Sequence, residues 1–381
     1  MSSPHSIPIV DRISVLPDSL ICHILSFLST KQSAATTILS KRWKPLWLLL
    51  LNLNFDDHDF ADFTSFRLFV YSVMLTRDPT SPIQSFRLKC GDSSGFNNHD
   101  VNLFIQSVVK RGIQNLNLDM SPLPFHFELP QCVSTCSNLT VLKLRKLSLN
   151  CLLDANFPLL KILNLDRIKF NVDHTCFLEN LLNGCPALQD LRIIGSLQSH
   201  FKDEEFNGLL KLVKAIIHNS TNFNIPFGWV CNTNFLFTKL RCPYRYKVPT
   251  FLNLNRMKIV FQLTNDWLGK WKWLIEVLQH CPKLQNLIIH ERSTYENEVG
   301  DDDWMDPPIV SKCLLSELRT CSLIGYKGMK SEFQFAEYIL KNAKVLHTMT
   351  ITASPVDINI KHQMLTKLYL CLRGSHLIEE G

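Results

Sequence analysis

A chain of 381 residues, 46% apolar and 19% charged, is long enough for two or three domains or for one extended repeat array. This composition excludes an intrinsically disordered protein, which would be less apolar and more strongly charged. The net charge of +6 is spread along the chain without a dense Lys/Arg run, so we expect neither nucleic acid nor a membrane as a partner.

The cysteines and the N-terminal residues indicate the compartment. The 13 cysteines are odd in number and follow neither a disulfide framework nor a metal-site spacing, so we predict reduced thiols in the core. Residues 1–10 lack the basic start and the long apolar stretch of a signal peptide. The longest uncharged apolar stretch, Pro45 to Phe55, is shorter than the roughly 18 residues that a membrane span needs. We therefore expect an intracellular protein of the nucleus or the cytoplasm.

Residues 11–57 contain three short amphipathic helical patterns. Pro17 and Asp18 suit the start of the first helix, and Thr30 and Ser40 are predicted to cap the second and the third. The apolar residues at helical spacing are Leu20, Ile21, Ile24, Leu25 and Leu28, then Ala34, Ala35, Ile38 and Leu39, then Trp43, Leu46 and Trp47. Helices this short bury only part of such stripes against one another. The segment is therefore either a helical cap on a larger domain or a docking face for a partner.

This segment, LPDSLICHILSFLSTKQSAATTILSKRWKPLW, resembles an F-box of the plant type, whose ordered words are LPD, ILS-x-L, TK and LSKRW. The resemblance implies docking on a Skp-type linker protein, which joins a cullin and a RING subunit in a ubiquitin ligase. The residues that it implies for linker binding are Leu16, Pro17, Ile24, Leu25, Leu28, Leu39, Ser40, Arg42 and Trp43. Two positions depart from the family pattern. Ser29 replaces a frequent Pro, and Pro45 is expected to remove a backbone hydrogen bond inside the third helix.

A pattern with apolar residues at i, i+3 and i+5 recurs eleven times after this segment. The copies begin at Ile83, Ile113, Leu139, Leu160, Leu188, Leu212, Phe237, Leu254, Leu284, Leu318 and Leu346. The first five starts differ by 30, 26, 21 and 28 residues, which is the period of leucine-rich repeats. Positions i+3 and i+5 share one face of a short strand, and no unit can bury that face alone. We predict an α/β fold: an irregular leucine-rich-repeat solenoid with a parallel sheet on its concave side and helices outside, two of them at 176–184 and 271–280.

The C-terminal part begins with an acidic segment. Glu291 to Asp306 carries seven acids and one Arg, and we expect a solvated loop because the acids lack the spacing of a metal site. The words CLLSEL, GYKG and AEYILKNAKVL then resemble the FBD region of plant F-box proteins. A capping box of Ser331 and Gln334 is predicted to start a helix before a strand at 345–351. A terminal helix through Met364 and Leu368 and a frayed end should follow.

We therefore divide the chain into an N-terminal tail (1–10), an F-box (11–52), a leucine-rich-repeat solenoid (53–300) and an FBD region (301–381) that continues and caps the solenoid. Sequence words for catalysis or for phosphate, dinucleotide or zinc binding are not found, so we expect neither an enzyme nor a cofactor or metal. The family resemblance implies a substrate-recognition adaptor of an SCF-type (Skp-cullin-F-box) ubiquitin ligase. Its repeats would hold a protein substrate that the sequence does not identify.

Two other functions remain open. The protein could be a receptor gated by a small molecule, with Lys143, Arg145, Arg192 and Lys214 near strand positions, or it could be a stand-alone repeat scaffold. Trp271 and Trp273 beside lysines could form a stacking platform for nucleic acid. An outer helix with two buried aromatic anchors is the favoured interpretation of this pair.

Overall fold

A computed structural model describes residues 13, 15–91, 96, 98–120, 127–149, 152, 155–170, 177–195, 208–219, 226–240, 247–262, 267–292, 306–327, 329–353, 366 and 377–380. The predictions for Asp11, for the acidic residues between 293 and 305, and for Met364 and Leu368 lie outside these residues. None of the helices within the described ranges combines the length and the apolar character that crossing a membrane requires.

The described strands build one long parallel sheet. In chain order the strands are β1 Asn52–Asp56, β2 Ser85–Lys89, β3 Asn115–Asp119, β4 Val141–Arg145, β5 Ser148–Leu149, β6 Ile162–Asp166, β7 Lys169–Phe170, β8 Asp190–Gly195, β9 Lys214–Asn219, β10 Phe235–Leu240, β11 Arg256–Phe261, β12 Asn286–Glu291, β13 Thr320–Tyr326, β14 Thr348–Ala353 and β15 Leu377–Glu380. Thirteen of these described strands pair side by side in chain order, and β5 pairs separately with β7. Strand neighbours in chain order are thus neighbours in space, as in a stacked repeat array.

Helices occupy several of the connections between strands. Their bounds are α1 Asp18–Ser26, α2 Thr30–Ala35, α3 Trp43–Leu48, α4 Phe63–Thr76, α5 Asn98–Lys110, α6 Phe177–Asn183, α7 Trp267–His280, α8 Lys312–Ser316 and α9 Lys330–Asn342. The two outer helices predicted from the sequence correspond to α6 and α7. Buried side chains of these helices and the inward residues of the strands form one continuous apolar core. The α/β class and the repeat architecture are as predicted.

The strand register confirms the repeat pattern at every predicted copy except one. In β2 and β3, for example, Phe86 pairs with Leu116 and Leu88 with Leu118, and all four side chains are fully buried. The first strand, β1, adds a repeat that the sequence analysis missed. Leu53 and Phe55 are its inward residues, and the uncharged run that contains them resembled a continuation of the third helix.

The copy predicted at Phe237/Leu240/Cys242 is wrong. In β10 the residues in register with the inward pair of β11 are Leu236 and Thr238, and Phe237 lies on the opposite face. Thr233 is the leading residue, and its buried hydroxyl donates to the carbonyl oxygen of Val230 at 2.9 Å. Threonine suits a strand sterically and its hydroxyl can be satisfied locally, so an apolar template overlooks it.

The first N-terminal helix begins at Asp18, as predicted, but the second and the third are not capped by the predicted residues. Ser29, not Thr30, caps α2: its Oγ accepts the N–H of Gln32 at 3.2 Å, and the Gln32 side chain accepts the N–H of Ser29 at 3.0 Å. Ser40 does not cap α3, which begins at Trp43. Pro45 is therefore in the first turn of α3, where an N–H has no partner within the helix, and it removes no helical hydrogen bond.

These helices are attached to the first strand of the sheet. The hydroxyl of Thr30 in α2 accepts the backbone N–H of Asn54 in β1 at 2.7 Å, on the edge of β1 that no other strand covers. The Lys31 ammonium donates to the carbonyl oxygen of Asp59 and lies 4.3 Å from the centroid of the Phe60 ring. The Asn54 N–H, which would otherwise need a water molecule as its acceptor, is thus satisfied by α2. The same contacts fix the position of the N-terminal helices relative to the sheet.

A buried charged cluster joins α7, β12 and the start of α9. Lys270 and Glu291 form an ion pair with both side chains inside the core. The Glu332 carboxylate accepts the N–H groups of Lys327 at 2.9 Å and of Met329 at 3.3 Å. Burial raises the pKa of Glu332 and lowers that of Lys270, and in each case an opposite charge nearby opposes the shift.

Three predictions for this part of the chain are wrong. Glu332 rather than the pair Ser331 and Gln334 caps α9, and Glu291 is buried rather than part of a solvated loop. Both errors arise because a buried lysine from α7, distant in sequence, stabilises acids there. Residues 377–380 form β15 against β14 and are not frayed, since pairing gives their backbone groups partners.

Gly325 provides a test of how closely β12 and β13 are packed. Its φ is +78°, and a Cβ would overlap the carbonyl oxygen of Glu291. Gly112 has the same left-handed conformation, φ +80°, with open space around it. We expect Gly112→Ala to cost about 1 kcal/mol, the usual cost of a left-handed non-glycine residue, and Gly325→Ala to cost clearly more because of the added overlap. Thermal unfolding followed by circular dichroism measures both, and equal shifts of the midpoint would contradict the packing.

Candidate interaction surfaces

Helix α1 divides its apolar residues between two faces. Ile21 and Leu25 are fully buried in the core. Leu20 and Ile24, one helical turn apart, are exposed on the other side, and Phe27 and Leu28, which directly follow the helix, are exposed as well. The predicted apolar stripe is thus split, because the core covers only half of it.

Residues after α2 extend the exposed apolar surface. Ile38 ends a 3₁₀ turn that follows α2, and Leu39 is the next residue. Their side chains are 86% and 61% exposed. We call this surface the exposed apolar face; it consists of Leu20, Ile24, Phe27, Leu28, Ile38 and Leu39. Large apolar side chains at this density in so short a segment are typical of a protein-binding surface.

The nine residues implied for linker binding fall into two groups in the structure. Pro17, Ile24, Leu28 and Leu39 are exposed and available for contact. The remaining five are buried or partly buried and lie under or beside them: Leu16, Leu25, Ser40, Arg42 and Trp43. Phe27 was missing from the set although it is 76% exposed. Its position three residues after Ile24 could have indicated it.

Arg42 holds the start of α1 in place. Its Nη2 donates to the carbonyl oxygen of Leu16 at 2.6 Å, and its Nε donates to the Asp18 carboxylate at 2.9 Å. These bonds connect the segment before α3 to the first turn of α1. Arg42 therefore orients the exposed apolar face, and part of its guanidinium is engaged within the chain.

A second surface is formed by the residues that alternate with the buried ones along the strands. From β1 to β6 one register row alternates in charge, because it consists of Asp56, Lys89, Asp119, Arg145 and Asp166. Lys89 pairs with Asp56 at 2.9 Å, and Arg145 pairs with Asp119 at 3.1 Å and with Asp166 at 3.2 Å. The charges of this register row are therefore paired with one another.

The same surface is predominantly basic from β8 to β12. We call this area the basic strand patch; it consists of Arg192, His218, Lys239, Lys258, His290 and the adjoining Arg292. The Nε2 of His218 lies 2.9 Å from the Nζ of Lys239. Burial and the neighbouring cations lower the pKa of His218 and of His290. Positive charge in this area therefore disfavours a further proton on either ring.

The four basic residues considered for a small-molecule site do not converge. Arg145 is paired with two carboxylates, and Lys214 pairs with Asp190 at 3.2 Å. Of the four, Arg192 belongs to the basic strand patch, while Lys143 lies on β4, three strands before β9 in the sheet. The arrangement favours an extended surface over a closed pocket.

The proposed aromatic platform is buried, as the favoured interpretation expected. Trp271 stacks on Phe335 with ring centroids 4.8 Å apart, and Trp273 stacks on Phe227 at 6.0 Å. Both indoles are in the core. They anchor α7 and are not available to nucleic-acid bases.

Two groups of reactive side chains are also engaged structurally. Among the described residues, one set could hold a metal ion, namely Asp56, Asp57 and His58. Its carboxylates are already bound, since Asp56 pairs with Lys89 and Asp57 accepts the N–H of Gly91. The nine described cysteines are free thiols, and burial raises the pKa of Cys185 to about 12, which keeps it protonated and unreactive.

Comparison with protein families matches three parts of the chain. Family models match for the F-box domain at residues 13–54, for FBD at 307–351, and for the LRR repeats of the FBD-associated F-box protein At5g56370 at 101–203. Among similar Arabidopsis thaliana proteins, F-box/FBD/LRR-repeat protein At4g00160 is 30% identical over 91% of this chain and 87% of its own length. F-box/FBD/LRR-repeat protein At3g52680 is 30% identical over 91% and 86%. FBD-associated F-box protein At5g56370 is 28% identical over 96% and 98%.

The two faces of α1 should respond differently to truncation. Leu25→Ala removes a fully buried side chain, so we expect a loss of about 2–5 kcal/mol in the stability of the N-terminal helices. Ile24→Ala, at a position 43% exposed, should change stability by about 0.5 kcal/mol or less. Hydrogen exchange of the amides in α1 and α3 measures these local effects. Similar losses for both variants would show that Ile24 is not on an open face.

Proposed function

This chain belongs to the plant F-box/FBD/LRR-repeat family, and from that premise we propose that it is a non-catalytic substrate-recognition adaptor of an SCF-type ubiquitin ligase. Its N-terminal helices dock on a Skp-type linker protein and through it join the cullin and RING subunits. Its leucine-rich repeats bind the protein to be ubiquitinated. This role places the protein in the nucleus or the cytoplasm.

The observation that carries the proposal is the exposed apolar face. Leu25 and Trp43 are buried and attach the helices to the core, whereas the side chains of Ile24, Phe27 and Leu39 are exposed to solvent. Burying such side chains against a partner gains roughly 25 cal/mol per Å² of apolar surface. A partner that covers this face would therefore bind mainly through apolar contact.

The proposed division of the chain assigns one task to each part. The F-box (11–52) contacts the linker, the solenoid (53–300) carries the substrate, and the FBD region (301–381) continues and caps the solenoid. Support for the cap comes from the Trp271–Phe335 stack and from the Glu332 cap of α9, beside the Lys270–Glu291 pair. These contacts attach α9 firmly to α7.

The protein contributes proximity, not chemistry. Holding a substrate and a charged ubiquitin carrier in one complex turns a bimolecular encounter into a nearly intramolecular one. The gain depends on how firmly the two binding surfaces are related in space. The hydrogen bond from the Asn54 N–H to the Thr30 hydroxyl and the two contacts of Lys31 attach the N-terminal helices to the first strand of the sheet. The sheet carries the second surface.

The two other functions fit these surfaces less well. A stand-alone scaffold would have no partner to cover the exposed apolar side chains of Phe27 and Ile38. A small-molecule receptor needs convergent polar groups, whereas Arg145 and Lys214 are neutralised by carboxylates of neighbouring strands.

The test is co-purification of the chain with a co-expressed Skp-type linker. We expect Ile24→Asp combined with Leu39→Asp to weaken linker binding by at least about a hundredfold, because two carboxylates would be buried against apolar side chains. The matched control is Leu68→Asp with Leu75→Asp on α4, where both leucines are exposed outside the proposed face.

The control should retain the linker and should melt at the same temperature as the wild-type complex. If the Ile24/Leu39 variant also retained the linker, the exposed apolar face would not be the docking site. If the wild-type chain never bound a Skp-type linker, the proposed function would fall.

A further inference from the structure

The basic strand patch lies on five adjacent strands, β8 to β12, whose exposed face carries more cations than carboxylates among the described residues. Within the described part of the chain, Arg192, Lys258 and Arg292 form no ion pair with a carboxylate, in contrast to the paired charges on β1 to β6. Their neighbours His218 and His290 have lowered pKa values, first through burial and then through these cations. The row of paired charges thus ends at Asp166 on β6, and from β8 to β12 cations outnumber carboxylates on this face among the described residues.

Apolar side chains alternate with the cations in the same rows. Ile216, Phe237 and Ile288 share the middle register row with Arg192 and Lys258, and all three are partly exposed. An isolated basic surface would attract any anion, but rows that mix cations with aliphatic side chains favour a ligand that mixes acids with apolar groups.

The geometry suits a short extended segment laid across the strands. Strands in a sheet are about 4.8 Å apart, so β8 to β12 span roughly 19 Å, and an extended peptide covers that distance with about six residues. Every second side chain of such a segment faces the sheet, so six residues present about three side chains to the cations and apolar residues of the patch.

We propose that the basic strand patch is the substrate-docking surface of this chain and that it takes an acidic segment of a protein in which Glu or Asp residues are mixed with apolar residues on the same face. The proposal rests on the adaptor function and specifies its substrate class. Recognition combines ion pairs to Arg192, Lys258 and Arg292 with apolar contacts to Ile216 and Ile288.

A nucleic-acid ligand fits this surface less well. The Phe237 ring has the Lys258 ammonium 5.5 Å from its centroid, and the Phe235 ring has the Arg256 guanidinium at 6.0 Å, so cations already occupy ring faces that bases would need. Ile216 and Ile288 offer no hydrogen bond to a base edge. Aliphatic contacts are instead what the apolar residues of a peptide require.

The experiment uses the full chain, in complex with the Skp-type linker where that complex forms, and fluorescence anisotropy as the readout. The probe is a short labelled peptide in which pairs of glutamates alternate with pairs of leucines, so that each face of the extended peptide carries both residue types. Two comparison probes are the same peptide with glutamine in place of glutamate, and single-stranded oligothymidylate. We expect binding of the glutamate peptide, weakening with added salt, and little binding of the other two.

The test variant is Arg192→Ala with Lys258→Ala. Its matched control is Arg87→Ala with Lys143→Ala, two cations in the same register row on β2 and β4. Because each variant removes two partly or fully exposed charges from one sheet surface, both should fold, which thermal unfolding verifies. We expect the test variant to weaken peptide binding by about tenfold or more and the control by less than about threefold.

The outcomes are separable. Failure of the glutamate peptide to bind, equal binding of the glutamine peptide, stronger binding of oligothymidylate, or equal losses in both variants would each overturn the assignment of this patch. The linker measurement tests the adaptor function independently, since a chain that retains the linker but ignores the peptide would refute the patch alone.

Discussion

The in-register stacking of short parallel strands is the constraint on which the rest of this structure depends. Each strand sends two side chains inward, and those of neighbouring strands meet, as Phe86 does with Leu116. The same register forces the alternate residues into rows on the other face. Charges in those rows must find partners on the next strand or remain unpaired. In the row from Asp56 to Asp166 they pair, and from β8 to β12 basic residues accumulate. The surface that is proposed to recognise a substrate is therefore a direct consequence of the packing that stabilises the fold.

Contacts outside the strand rows attach helices to this sheet near its first strand and again between its later strands. Near the first strand, α2 satisfies the Asn54 N–H of β1 through Thr30, and the helices that do so carry the exposed apolar face on their other side. Between the later strands, the Trp271–Phe335 stack joins α9 to α7 next to the buried Lys270–Glu291 pair. The N-terminal helices thereby attach to the edge of the sheet and carry the proposed docking surface in one short segment. Attachment to the sheet on one side and the proposed docking on the other would together explain why so small a unit exposes apolar side chains to solvent.

Much of this arrangement followed from the sequence, and the failures have physical reasons. Apolar inward positions were predicted in β2 to β4 and in most later strands of the long sheet but were missed in β1, and in β10 the register was misplaced where threonine takes their place, at Thr233 and Thr238. The helical stripe of α1 was recognised, but its division into a buried and an exposed half depends on what the core covers, which periodicity does not reveal. The buried state of Glu291 depends on Lys270, from a separate element 21 residues earlier in the chain. Long-range pairing of this kind leaves no local pattern.

The central claim is that the exposed apolar face docks on a partner while the sheet stays available. Differential hydrogen exchange of the free chain and of its complex with a Skp-type linker tests this most directly. We predict that the linker slows exchange in residues 20–43 and leaves the amides of β2 to β12 unchanged. Slowed exchange confined to the strands, or unchanged exchange throughout residues 20–43, would contradict the account.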